Sequence, residues 1–313
     1  MKKILISMLA VAALVSCSKE ESIRVDQGEA IEFGNAFVEN STRAEDKTYG
    51  EVDLKTFNVY GTVAGTAGTV NIFNGDAVNG SVGANVWSCT NKQYWINGAI
   101  YDFAAVVGAT VAQDANKMPT TLTTVADATM NFKDMLYADR LDIEGKKTGN
   151  GPVNFTFEHL LAKAFFTVTS NTADGYYYNV TNIYVANYAS GVYTIAYADD
   201  ANGKDNGTWA PVGDQVNVSF GSIENVTAAD NNKTNDTQML LVPTTNTFNV
   251  TFTADIYKNG TKLGTETKTI AVENDLVKGN VYNFKIALTV GEPIQFTVTS
   301  NPTWAGDTGV TIQ

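Results

Sequence analysis

A two-residue alternation recurs in this chain from Ile31 almost to the C-terminus, in short runs rich in Thr, Val, Tyr and Phe and broken by Gly, Asn and Asp. Successive strand residues point to opposite faces of a sheet, so such runs suit half-buried β surfaces and do not line one side of a helix. After Ile31, Phe33 and Ala36-Phe37-Val38, the runs are Leu54 to Val63, Val70 to Phe73, Val86 to Cys89, Ile100 to Val107, Val153 to Val168, Tyr176 to Tyr188 and Val192 to Tyr197. They continue with Val216 to Phe220, Met239 to Val242, Phe248 to Tyr257, Thr265 to Val272, Val281 to Val290 and Ile294 to Thr299. Helical periodicity is scarce: Phe132 to Leu141 is expected as a short helix or irregular segment, and His159 to Ala164 as a local turn. Asn79-Gly80 and Asn259-Gly260 supply positive-φ turn residues, the second between two alternating runs as a hairpin requires. The expectation is an all-β chain of stacked antiparallel sandwiches. A boundary is expected in Gly145 to Pro152, the most Gly-rich and basic linker near the middle.

The first residues read differently. Lys2 and Lys3 precede an apolar run from Ile4 to Val15, which is too short for a permanent membrane helix of about 20 residues and suits a cleaved secretory signal. Leu14-Val15-Ser16-Cys17 looks like a bacterial lipobox, which implies cleavage before Cys17 and its diacylation; the alternative is a buried thiol behind a core helix. Ser18-Lys19-Glu20-Glu21 resembles a short signal for transport to the outer face of the outer membrane. Loss of residues 1 to 16 would leave 297 of the 313 residues, enough for two domains, with 19 basic against 33 acidic residues and a formal charge of −14. Such a surface repels phosphate backbones and anionic headgroups, which argues against nucleic-acid binding and leaves the lipid as the membrane contact.

No catalytic constellation presents itself. The chain holds one histidine, His159, which cannot make a His-rich metal cluster, and it lacks a Cys-x-x-Cys pair, a Gly-x-Ser-x-Gly elbow and a phosphate-cradling loop. Cys89 reads as a small buried hydrophobe and His159 as a hydrogen-bonded structural residue. Asp199 to Gly207 offers oxygens for calcium, but Lys204 stands where a ligand is expected and no glutamate closes the loop, so a solvated hairpin loop fits better. Trp87, Trp95, Trp209 and Tyr176-Tyr177-Tyr178 are the aromatics available to a glycan, with core packing as the simpler use. No metal or cofactor is expected.

Several phrases, taken in order, resemble the fimbrillin family, the Mfa-like lipoprotein pilins of type V pili. They are Ile31-Glu32-Phe33 before Ser41-Thr42-Arg43-Ala44, Phe57-Asn58-Val59-Tyr60-Gly61, Tyr94-Trp95 before Tyr101-Asp102-Phe103-Ala104-Ala105, Asp134-Met135-Leu136-Tyr137-Ala138, Phe155-Thr156-Phe157-Glu158-His159-Leu160-Leu161-Ala162-Lys163, and Gly279-Asn280-Val281-Tyr282-Asn283-Phe284. The resemblance implies two transthyretin-like antiparallel β-sandwich domains in tandem: a lipidated prosegment 17–43 carrying the first strand, then domains at 44–150 and 151–313. It also implies polymerisation by donor-strand exchange. An Arg-specific protease would cut between Arg43 and Ala44, displacing the strand that carries Ile31, Phe33, Phe37 and Val38. A strand near the C-terminus of another subunit would replace it. Ile294, Phe296 and Val298, or Val310 and Ile312, are the candidate donor residues; the terminal pair is preferred, and the alternative is that both segments simply finish the second sandwich.

The expected function is therefore a structural or accessory, non-enzymatic fimbrial subunit that contributes to adhesion. The expected partners are other pilin subunits, the outer membrane through Cys17, the protease and a surface receptor. The rival readings are a monomeric glycan-binding surface lipoprotein and, behind it, a secreted hydrolase with paired carboxylates.

Overall fold

The structure is a computed structural model and describes residues 28–38, 54–65, 68–80, 87–127, 130–197, 207–230, 232–235, 237–301 and 310–312. Among these residues no helix occurs and nineteen strands follow one another. The first nine are β1 (Phe33–Val38), β2 (Thr56–Gly65), β3 (Gly68–Gly80), β4 (Trp87–Cys89), β5 (Ile100–Val107), β6 (Ala109–Gln113), β7 (Pro119–Thr124), β8 (Leu136–Glu144) and β9 (Val153–His159). Then come β10 (Ala162–Asn171), β11 (Tyr176–Thr194), β12 (Thr208–Val226), β13 (Lys233–Thr234), β14 (Met239–Leu241), β15 (Phe248–Lys258), β16 (Thr261–Val272), β17 (Val281–Thr289), β18 (Gln295–Asn301) and β19 (Val310–Ile312).

The strands make three sheets. One closes into a barrel in the order β1-β4-β3-β2-β5-β8-β9. The second runs β13-β10-β17-β18-β19 with β14 also on β10, and the third runs β16-β15-β11-β7-β6 with β12 also on β11. Pairing is antiparallel as expected except at two places, β1 with β9 and β10 with β17, which are parallel. Between Asn259 and Gly260, both at positive φ (49° and 81°), the β15–β16 hairpin turns as their sequence predicts. Asn79-Gly80 behaves otherwise: both residues stay in β3, paired with Thr56 and Trp87.

Three apolar cores organise these sheets. The barrel is filled by Phe33, Phe57, Phe73, Phe103, Phe155 and Phe157 with their aliphatic neighbours. The second and third sheets face each other across Phe166, Phe220, Phe248, Phe252 and Phe284. A third core joins the two bodies, built from Tyr60, Val106 and Tyr137 on the outer wall of the barrel and Leu122, Leu160, Leu161, Tyr193 and Leu240 opposite. This explains the near-continuous apolar run of β5: Tyr101, Phe103 and Ala105 point into the barrel while Ala104 and Val106 point into the joining core. It also accounts for Phe132 to Leu141, which is not helical. Leu136 and Ala138 serve the barrel and Tyr137 the joining core, a two-residue period that only a strand provides.

The linker Gly145 to Pro152, expected as the domain boundary, connects β8 to β9 within the barrel. The chain passes from the barrel to the second sheet later, through Leu160 and Leu161 between β9 and β10. In the other direction, the β6–β7 hairpin leaves the barrel to extend the third sheet, with Thr121, Leu122 and Thr123 on Thr194, Tyr193 and Val192.

Candidate functional site

The stretch that the sequence marks as a first strand closes the barrel. Phe33 is 4% exposed and lies at the centre of the aromatic core, edge-on to Phe57 (6.3 Å between centroids), Phe73 (5.4 Å) and Phe103 (6.3 Å) and stacked on Phe155 (6.1 Å). Ile31 is buried in the same core. Burying one such phenylalanine stabilises the fold by about 1.5–3 kcal/mol through area alone. The wall of the barrel therefore includes a groove that β1 fills.

Its two edges are β9 and β4. Along β9 the register runs Phe33 with Val153, Ala36 with Phe155, Phe37 with Thr156 and Val38 with Phe157, and Val153 N–H donates to Glu32 O at 2.8 Å. Along β4, among the described residues, Phe33 pairs with Trp87. Beyond that pair the chains separate around a cleft of about 390 Å³, lined by Ala30 to Phe33 on one side and by Trp87, Cys89, Lys92 and Tyr94 among others on the opposite side. Contact resumes where Ile31 N–H donates to Gln93 O (2.8 Å) and Trp95 N–H to Glu29 O (3.0 Å). Glu29 fixes the start of this segment, its Oε2 accepting from the N–H groups of Gly149 (2.8 Å) and Asn150 (3.2 Å). Those donors, Gly149 first and Asn150 second, hold its carboxyl below the usual range. Burial pushes the half-buried Cys89 thiol up, away from the thiolate that nucleophilic chemistry needs.

The far end of β9 carries a polar fastening that sequence reasoning missed. Glu158 Oε2 accepts from Lys278 Nζ at 2.9 Å, and the same ammonium donates to Tyr193 Oη at 2.9 Å. His159, 4% exposed, places Nδ1 2.9 Å from Asp134 Oδ2. The structural role expected for His159 thus has a partner, but the partners are 25 and 120 residues away along the chain and leave no local signal.

Phe37 and Val38 enter β1 through their backbones, whereas Cys17, Arg43 and Ala44 lie outside the described residues. Of the candidate donors, Val298 is buried in the second core, Ile294 packs against it, and Phe296 stacks on Phe252 and Phe284 (6.5 and 6.2 Å). Val310 and Ile312 lie in β19, whose backbone pairs with Ser300 and Val298 of β18 at the end of the second sheet. Among the aromatics, Trp87, Trp95 and Tyr178 are core residues, Trp209 packs on Tyr193 at 5.4 Å, and Tyr177 stacks on Tyr257 at 4.8 Å. The oxygen-rich loop from Asp199 lies outside the described residues up to Gly207. Among the described residues no group of three or more His, Cys, Asp or Glu side chains is placed to hold a metal ion.

An all-β body in which β1 completes the barrel core defines the structural class of the chain. The model of the fimbrillin-like family matches residues 42–302, and the chain belongs to that family. It is similar to a crystal structure of a fimbrial protein from Bacteroides vulgatus ATCC 8482, at 16% identity and a TM-score of 0.64, with 88% of this chain and 99% of that one covered. It is also similar to a candidate cell adhesion protein from Bacteroides ovatus ATCC 8483, at 15% identity and a TM-score of 0.54, with 90% and 99% covered. At these identities the likeness speaks for the fold. No curated protein sequence matches the chain.

Proposed function

We propose that this protein is a structural or accessory subunit of a type V fimbria, carried to the outer membrane by a lipid on Cys17 and assembled by exchange of β1. A cut between Arg43 and Ala44 leaves β1 held only by non-covalent contacts. Its departure then opens a trough lined by Phe57, Phe73, Phe103 and Phe155 and frees the backbone edges of β9 and β4. Such an edge invites another strand, and a strand from a second subunit restores both hydrogen bonds and core. The terminal segment β19 is the better donor, since it ends a sheet, whereas Phe296 and Val298 of β18 are built into the second core. The role is structural rather than enzymatic, and the partners are other pilin subunits, the protease and a surface receptor. Two β bodies, the barrel and the facing pair of sheets, make up the chain, with their junction at Leu160–Leu161.

The observation that carries this reading is the position of Phe33, at the centre of the barrel core on a strand that lies between β9 and β4. Arg-specific proteolysis of the full chain tests it. Loss of the segment through Arg43, followed by ladders of oligomers that Arg43→Ala and an excess of a peptide spanning 306–313 both suppress, is the expected result. Clean cleavage at Arg43 with the product remaining monomeric at high concentration overturns it.

A further inference from the structure

The third sheet ends in a long bare edge. Among the described residues β16 pairs with β15 and with no other strand, so from Thr261 to Val272 one side of its backbone has no ladder partner. The side chains along it are open as well: Thr265, Glu266, Thr267 and Thr269 are exposed, and Lys268 and Ile270 are half-buried. An edge of this kind is a template for another strand unless its side chains forbid one. Two faces alternate along it. Thr265, Thr267 and Thr269 point away from the core, where they meet Asp255 (2.7 Å), Thr253 (3.0 Å) and Thr251 (3.1 Å) of β15. Gly264, Glu266, Lys268 and Ile270 point the other way: Lys268 Nζ lies 2.6 Å from Glu266 Oε1, and Ile270 packs on the core between the facing sheets.

Charge decides which strand fits. Thr265-Glu266-Thr267-Lys268-Thr269 is symmetric about Thr267 except that its two charges have opposite signs. Laid antiparallel on a second copy with Thr267 on Thr267, each Glu266 faces a Lys268 and each Thr265 a Thr269, and the hydroxyl ladder of β15 and β16 continues across the junction. A register shifted by two residues sets Glu266 on Glu266 or Lys268 on Lys268, which is destabilising. The other charges bordering the edge agree with the centred register. Asp255 is occupied by Lys262 at 2.8 Å and by Thr265. Glu292 lines a cleft of about 300 Å³ beside Gly264 and Glu266, the part of the edge to which Lys268 of the second copy comes. Glu273, just beyond Val272, lies toward the Lys262 end of that copy. Opposite Gly264 comes Ile270 of the second copy. A Cβ on Gly264 would meet Ile256 at 3.6 Å, an ordinary contact, and the cleft there has Tyr178, Ala254, Ile256 and Ile294 in its walls.

We propose that β16 is a lateral contact strand, its free edge pairing antiparallel with the same edge of a second copy of this chain, Thr267 on Thr267, about a two-fold axis normal to the sheet. The contact is isologous and closes on two chains. It involves a single strand edge, so in solution it belongs with the weak, transient contacts, and it gains strength where many copies stand side by side. The pairing is separate from strand exchange at β1 and needs neither cleavage nor lipid. Exchange of β1 joins subunits in series, whereas β16 ties them side by side.

The test uses the full chain carrying Cys17→Ser, Cys89→Ala and Arg43→Ala, which removes the acylation site, the other thiol and the proposed cut. Thr267→Cys in this background is expected to form a disulfide-linked dimer under mild oxidation, since residues opposite each other in an antiparallel pair have Cα atoms about 4.5–5.5 Å apart, inside the disulfide range. Thr265→Cys, whose two copies would lie roughly 14 Å apart, is expected to stay monomeric. Adding Glu266→Lys or Lys268→Glu to Thr267→Cys is expected to slow cross-linking at least about tenfold, and a 1:1 mixture of those two chains to restore it, because each supplies the charges the other lacks. Thr267→Cys that stays monomeric, or Thr265→Cys that cross-links equally fast, overturns the pairing. Cross-linking indifferent to Glu266→Lys and Lys268→Glu overturns it too. None of these results bears on strand exchange at β1, which Arg43→Ala has removed from the experiment.

Discussion

Lys278 donates to Glu158 Oε2 at 2.9 Å and so ties the turn before β17 to the end of β9, across 120 residues of chain. β9 needs this tie more than its neighbours do. Among the described residues, its residues 153 to 157 pair with β1, and its other ladder is the two-residue contact of His159 and Glu158 with Leu136 and Tyr137 of β8. If β1 departs, the side-chain contacts Glu158–Lys278 and His159–Asp134 carry much of what holds the strand in line.

Lys278→Met removes one member of this pair and leaves Glu158, only 16% exposed, without its ammonium. The expected loss is about 1–3 kcal/mol in urea unfolding, since an orphaned charge costs more than the pair contributes. Lys278→Arg should recover most of it. Hydrogen exchange supplies the sharper reading: amides 158–160 of the Arg-cut chain should lose protection in Lys278→Met by a larger factor than in the uncut chain. Equal factors would show that β9 does not depend on the tie.

Phe33→Ala should cost about 3–5 kcal/mol, the range for truncating a buried aromatic. The ring touches four other phenylalanines, so the surrounding core has little freedom to collapse into the space. Denaturant midpoints measured with an unchanged m-value check it. A loss below about 1 kcal/mol would mean that β1 contributes little to the barrel.

What could be read from the sequence was local. Ile31 and Phe33 announce their burial by alternation, and Asn259-Gly260 announces its turn because two positive-φ residues between complementary runs leave few other solutions. The same dipeptide at Asn79-Gly80 fails as a signal, for β3 continues through it to pair with both Thr56 and Trp87. Non-local choices were hidden. Nothing in β9 itself says that its partner is a parallel strand 120 residues earlier, and the β6–β7 hairpin carries no mark of the sheet it will extend. Gly and Lys at 145–151 read as a domain linker, yet they fold back against Ala99 and Glu29 to shape one end of the barrel. Glu158 and Lys278 are each ordinary surface residues until the fold brings them together.

Gly34→Val should unseat β1 from its place against β9. A Cβ at Gly34 would strike Asn154 Oδ1 and approach Pro152 Cβ and Cγ at 2.9 Å, so the strand must shift away from β9 to accommodate a branched side chain. The expected destabilisation is about 1–3 kcal/mol, the usual cost of overpacking. Amides 33–38 and 153–157 should exchange faster while the core of the facing sheets, around Phe166 and Phe284, keeps its protection. Uniform loss of protection across both bodies would show that the barrel and the sheets unfold as one.

The start of β1 should loosen in acid, and Glu29 decides where. Its carboxylate accepts from the N–H groups of Gly149 and Asn150, which stabilise the charged form and lower its pKa below the ordinary 4.5. For a group whose folded value is depressed, the folded state binds fewer protons than the unfolded one between the two values. The contribution is therefore complete above about pH 4.5 and is lost as the pH falls through the folded value. After correction for the intrinsic rate, amide exchange at Gly149 and Asn150 should accelerate as the pH drops from 6 toward 3, a window taken from about the unperturbed carboxylate value downward. In Glu29→Gln the same amides should show weaker protection that hardly changes with pH. A Glu29→Gln profile that still falls in acid would assign the titration to another carboxylate.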